Sequence, residues 1–185
     1  MTVIAIIKYP NPILKKVSRE FTLDEIKAGK IENMTFAELR DKMIKVMAMD
    51  AGVGLAAPQV GLNLRMFIVN TTGMPDHDLV VFNPVLSNMK GSAIDKEGCL
   101  SFPHIYIKVK RFAEVTLEGY DVLSNPIKIE AKEMQARVIQ HEYDHCCGKL
   151  FIEKMDVMDR IRANRVLEQL EQQWVRAQLL KGKKS

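Results

Sequence analysis

A chain of 185 residues is long enough to bury one proper core and too short for two domains to be expected, so a single catalytic domain over residues 1–185 is the simplest organisation. Hydrophobic residues make up 47% and charged residues 27%, ordinary for a soluble globular protein, and a net charge of +4 permits an acidic partner without predicting one. No apolar run approaches the roughly 20 residues of a membrane span, and residues 3–7 are too short for a signal-peptide core and follow no basic residue. A cytoplasmic location is therefore expected, with an organellar enzyme whose transit peptide was removed as the alternative, and three cysteines, two of them adjacent as Cys146 and Cys147, make a poor disulfide framework and suit a reducing compartment.

In chain order, Pro10-Asn11-Pro12 marks a turn. Thr35 and Glu38 form a capping box that opens a helix to about Met49, with Phe36, Leu39, Met43 and Val46 at helical spacing and Gly52 helping to stop it. Residues 65–70 and 79–83 read as strands, the second ending before Pro84. Ile105, Ile107 and Val109 alternate with polar residues, as do residues 113–120, and a short strand follows Pro126 through Ile127 and Ile129. Helical patterning returns over about 131–146, and a last amphipathic helix spans about 156–180. This order, without repeated strand–helix–strand units, predicts an α+β domain.

The chemistry concentrates in Gln140-His141-Glu142-Tyr143-Asp144-His145. Residues four apart stack on one face of a helix, so His141 and His145 can converge on one ion. Glu142 is rotated away by one residue's turn, placed to reach water at the ion as a general base rather than to bind it. Met134 and Val138 extend the histidine stripe, which puts both imidazoles on an apolar face. Cys99 is a candidate third ligand, a thiolate suited to Zn²⁺ or Fe²⁺, and three protein ligands leave one position for water, the mark of a catalytic site. A metallopeptidase would instead take its third ligand downstream, where Glu153 and Glu168 stand. Another alternative is a metal kept for structure alone, or a protein that binds peptide without turnover. The segment Gly52-Val53-Gly54-Leu55-Ala56-Ala57-Pro58-Gln59 reads either as a loop of small packed residues or as backbone left open to a ligand, with Gln59 its one polar side chain near a reaction centre.

Together, GVGLAAPQ at 52–59, EGCLS at 97–101 and QHEYDH at 140–145 resemble the peptide deformylase family, in family order and over most of the chain, from Tyr9 to Phe151. The resemblance implies mixed or antiparallel β-strands packed around a central helix that carries the histidines, followed by a C-terminal helix. It also implies a hydrolase of N-terminal processing in protein biosynthesis, which removes the formyl group from N-formylmethionyl nascent peptides. Cys99, His141 and His145 would hold a divalent ion, ferrous iron by resemblance, with Zn²⁺, Ni²⁺ and Co²⁺ as alternatives. Glu142 would act as base, and the Leu100 amide with the Gln59 side chain would stabilise the developing oxyanion. Val53, Gly54 and Gly98 would flank the peptide as an added strand, and Met134, Val138 and Val53 would line a methionine pocket.

Two features depart from the family pattern: the adjacent Cys146 and Cys147, which either pack or sensitise the site to oxidation, and the segment around Tyr106, near which many bacterial members carry an arginine that helps hold substrate. The C-terminal helix bears Arg160, Arg162, Arg165 and Arg176, then Lys181, Lys183 and Lys184. It is either a solvated helix with a frayed tail or, as in some bacterial deformylases, a ribosome-docking extension. No membrane or DNA partner is expected.

Overall fold

The computed structural model describes residues 5–74 and 77–182, the Lys181 side chain excepted. Lys183 and Lys184 of the basic tail, and residues 3 and 4 of the apolar N-terminal stretch, lie outside it. Four helices are present among the described residues: α1 (Leu23–Ala28), α2 (Phe36–Met49), α3 (Glu133–Cys146) and α4 (Val157–Gly182). The strands are β1 (Lys30–Ile31), β2 (Met34–Thr35), β3 (Gly54–Ala56), β4 (Met66–Val69), β5 (Leu79–Lys90), β6 (Ala93–Cys99), β7 (Phe102–Arg111), β8 (Glu114–Tyr120) and β9 (Pro126–Lys132). They form an antiparallel five-stranded sheet in the order β3-β4-β5-β8-β9, a β6-β7 ribbon and the small β1-β2 hairpin. None of the helices is long and apolar enough to cross a membrane.

The expected α+β arrangement holds, and packing explains the sequence patterns. All four residues of β4 are buried: Met66 and Ile68 join the core beneath α2, while Phe67 and Val69 join the core beneath α3. A strand covered on both faces reads as an unbroken apolar run instead of an alternating one. A third core lies between β7, the Phe151–Lys154 turn and α4, whose Ala163 and Leu167 supply the buried stripe. α3 therefore runs centrally, with Val138 and Ile139 on the sheet and Arg137 hydrogen-bonded to the ribbon carbonyls of Val109 and Ala93.

Several boundaries differ from the sequence expectation. The α2 capping box is present, but the left-handed residue after the helix is Ala51, at φ +50°, rather than Gly52. Gly52 contributes its amide, which bonds the Met47 carbonyl, and its missing side chain, since a Cβ there would stand 2.8 Å from Leu100 Cδ1. β5 does not end at Asn83. A register shift between Phe82 and Val85 accommodates Pro84, while the Asn83 side chain bonds both backbone groups of Phe21. α3 starts at Glu133 because Ala131 and Lys132 are still paired with β8.

Candidate metal centre

Helical spacing brings the His141 and His145 rings to 5.1 Å between centroids. The β6-β7 ribbon delivers the third group: a register shift between Gly98 and Cys99 turns the strand end inward, and Cys99 Sγ lies 3.3 Å from His145 Nε2. One ligand atom from each of Cys99, His141 and His145 lies within 4.8 Å of the others. Ligands bound at about 2.0–2.3 Å to one tetrahedral ion stand about 3.3–3.6 Å apart, so modest closure suffices. His145 Nδ1 and Glu142 Oε2 are buried polar atoms with no partner among the described residues. A thiolate and two imidazoles are a donor set for zinc or iron, and the residues present fit such an ion. Glu153 and Glu168, the alternative third ligands, are exposed and lie outside the cluster.

The environment sorts the charges. Burial opposes a proton on His141, but hydrogen bonds to Cys99 and Glu97 and the nearby negative groups raise its pKa to about 10. A divalent cation among these ligands competes with that proton. Burial, helped by the charges of His141 and Arg111, drives His145 well below the ordinary histidine range. Burial raises Glu142 to about 7, against the charges of His141 and Arg111. A carboxyl with a pKa near the working pH is suited to moving a proton in both directions.

Gln59 is fixed in the Ala57–Val60 turn. Its Oε1 accepts from the Ala56 amide at 2.8 Å, so its NH₂ faces Cys99 Sγ and Ser101 Oγ, both at 3.4 Å. Leu100 follows Cys99 directly, and its carbonyl is held by Lys8 Nζ at 2.7 Å. A cavity of about 480 Å³ opens in front of Cys99, Leu100, His141 and Glu142, and Val53, Gly54, Gly98, Met134 and Val138 all line it, with Gln59 buried behind Cys99. Gly54 is required to be small: a Cβ there would come within 2.5 Å of Glu142 Oε1 and 2.7 Å of Val138 Cγ1. The two flanking strands, β3 and β6, are each unpaired along one edge among the described residues.

Sequence reasoning missed the support behind the histidines. Glu97, buried under the ribbon, accepts from His141 Nδ1 at 3.0 Å, from Arg111 at 2.9 and 3.0 Å and from Arg137 at 2.6 Å. Arg111 also pairs with Asp144, two residues after Glu142. This arrangement leaves His141 Nε2 free and fixes the ring, as metal binding by an imidazole requires. The signal for it was chemical: a ligating imidazole usually donates through its other nitrogen to an acceptor, and Glu97 is two residues from Cys99. The Gln140 side chain, also passed over, bonds both backbone groups of Phe112 and ties α3 to the start of β8. Cys146 packs in the core, and burial keeps its thiol protonated.

Burial raises the Glu97 pKa, but hydrogen bonds from His141 and Arg111 and their charges outweigh it and hold the group at about 2. The depressed value means that this network stabilises the fold fully above the unfolded carboxylate range. That stabilisation is lost as pH falls from about 4.3 toward the folded value. Glu97→Ala strands two buried guanidiniums and is expected to cost about 3–5 kcal/mol in denaturant unfolding. A loss below about 1 kcal/mol would show that Asp144 and water replace the carboxylate.

The sequence model of the polypeptide deformylase family matches residues 3–161. The chain is 36% identical to the peptide deformylase of Helicobacter acinonychis over 178 residues, covering 92% of this chain and 95% of that protein. It is 37% identical to the chloroplastic peptide deformylase 1B of rice over 91% of this chain, but spans only 61% of that longer protein. The crystal structure of a peptide deformylase from Legionella pneumophila superposes with a TM-score of 0.81 at 30% identity, covering 95% of this chain and 99% of that one. The chain belongs to the peptide deformylase family, metal-dependent hydrolases that remove the formyl group from N-formylmethionyl nascent peptides.

Proposed function

We propose that residues 1–185 act as one catalytic domain that deformylates N-formylmethionyl nascent peptides at the Cys99–His141–His145 centre, with Glu142 as the acid–base group. The observation that carries this reading is the meeting of the three ligand atoms beside a buried carboxylate with one unpartnered oxygen. A divalent ion held by Cys99, His141 and His145 would supply Lewis acidity to the formyl group and to water. Glu142 takes a proton from the attacking water as its oxygen bonds to the formyl carbon. The Gln59 NH₂ and the Leu100 amide donate to the formyl oxygen as its charge grows. The carbon–nitrogen bond then breaks, Glu142 returns the proton to the departing amine, and formate and a free methionyl N-terminus result.

Val53 just before β3, Gly54 in β3 and Gly98 in β6 present backbone to the cavity, so the peptide enters as a strand between two open edges. Val138, Met134 and the Val53 side chain receive the methionine. Ferrous iron is the proposed ion, with Zn²⁺, Ni²⁺ or Co²⁺ as substitutes that the same donor set accepts. Anaerobic purification, metal analysis and a formate-release assay on a formylmethionyl peptide test the reading. No release with any of the four ions would sink it.

The proposed location is the cytoplasm, in keeping with three free cysteines, while an organelle interior is the alternative suggested by the rice relative's name. Arg160, Arg165 and Arg176 are exposed on α4, which supports ribosome contact through this helix. Deleting the residues after Leu170 is then expected to weaken ribosome binding, with a shallower dependence on salt as phosphate contacts are lost. Unchanged co-sedimentation of the truncated protein would leave α4 beyond Leu170 a solvated extension.

A further inference from the structure

The β6-β7 ribbon has two unlike faces. Glu97, Ile105, Ile107 and Val109 are buried beneath it, whereas Lys96, Tyr106, Lys108 and Lys110 stand exposed above. Lys96 lies directly opposite Lys108, and Gly98 directly opposite Tyr106. Like charges opposed across two strands destabilise the pair, and among the described residues neither lysine has an ion-pair partner. Asp95 and Glu97 alternate onto the opposite face of β6, and Glu97 is committed to Arg111 and Arg137. The Lys96 ammonium sits 5.1 Å from the centre of the Tyr106 ring. That ring is itself laid against Gly98, where a Cβ would meet it at 2.6 Å. Lys96, Gly98 and Tyr106 all line the cavity that holds Glu142 and His141.

The direction of the substrate follows from the topology. β6 runs toward Cys99, and the reacting end of the peptide must lie there, so a peptide added to the open edge of β6 runs antiparallel to it. At about 3.3 Å per residue, the chain reaches Lys96 roughly 10 Å from Cys99, at its third and fourth residues.

We propose that Lys96, set over the Tyr106 ring, and Lys108 opposite it on β7 form a subsite for aspartate or glutamate at the third and fourth positions of the formylated chain. This inference rests on the deformylase reading above and adds a substrate class to it. The cross-strand lysine pair, unfavourable in isolation, is relieved when a carboxylate lies between the two charges. Opposite-charge contacts at a partly exposed rim gain little each, so the selection is graded instead of absolute.

The test uses the iron-loaded full chain and three peptides, formyl-Met-Ala followed by Asp-Asp, Ser-Ser or Lys-Lys. At low salt, kcat/KM is expected to favour Asp-Asp over Ser-Ser by roughly five-fold, to disfavour Lys-Lys, and to do so through KM. The spread should collapse at high salt. Lys96→Gln with Lys108→Gln should level the three peptides, and Lys96→Glu with Lys108→Glu should invert their order. The same ranking in wild type and both variants overturns the subsite. So does a variant whose peptide ranking is unchanged while its affinity for a ribosomal RNA fragment falls. Anisotropy with the three labelled peptides reads the ranking without turnover. An absence of formate release therefore counts against the deformylase reading, and an absence of ranking in binding counts against the subsite.

Discussion

Replacing Glu142 with glutamine is expected to reduce formate release by about 10²–10⁴-fold while leaving the metal content unchanged. The carboxyl is buried on α3 beside His141, packed close behind Gly54, and its second oxygen has no partner among the described residues. It lines the cavity but is not part of the cluster of ligand atoms. Glutamine fills the same volume, so the cavity and the ligands are preserved and only the proton acceptor is removed. Burial raises the carboxyl pKa to about 7, which means that the folded environment disfavours the carboxylate. Exchange for a neutral amide is therefore expected to leave stability equal or slightly higher. The kinetic signature is a fall in kcat with little change in KM, because the residue acts on the reaction and not on substrate binding. A variant within tenfold of wild type would move the general base elsewhere. A variant that loses its metal would make Glu142 a structural support.

What could be read from the sequence depended on how local each cause was. The α2 boundary follows from Thr35 and Glu38, but the same box at Thr22 and Glu25 was passed over. The six-residue helix it opens is too short to show a helical period. β6 was missed because Ala93 to Lys96 are all exposed and carry no alternation; pairing with β7 makes it a strand. The histidine pair was legible because four residues on a helix settle it. Cys99 was reachable because two imidazoles need a third donor. The full network behind His141 was not: the need of an imidazole for an acceptor pointed only to Glu97, while Arg111 and Arg137 come from other segments that only the ribbon and α3 bring together. Those buried charges leave no periodic trace. The lysine pair on the ribbon was invisible for the same reason, since its meaning depends on the register of β6 against β7.

Cys99→Ala is expected to abolish metal retention, and formate release with it, while Glu153→Ala leaves both intact. Cys99 Sγ lies 3.3 Å from His145 Nε2 and 3.4 Å from Gln59 Nε2. Its removal reduces the donor set to two imidazoles, and catalytic sites of this kind use three protein ligands. Glu153 is exposed in the turn after α3 and touches none of these atoms. The change in stability separates a lost ligand from a damaged fold. Metal bound to the native state alone adds about 2.7 kcal/mol when its free concentration is 100 times Kd. Wild type should therefore exceed the alanine variant by an amount that grows with added metal. Under a chelator the two should agree within about 1 kcal/mol, because only a half-buried small side chain has been lost. If Cys99→Ala instead retains metal at wild-type affinity, another residue supplies the third ligand. A gap that persists under the chelator would place the role of Cys99 in the ribbon bulge and not at the ion.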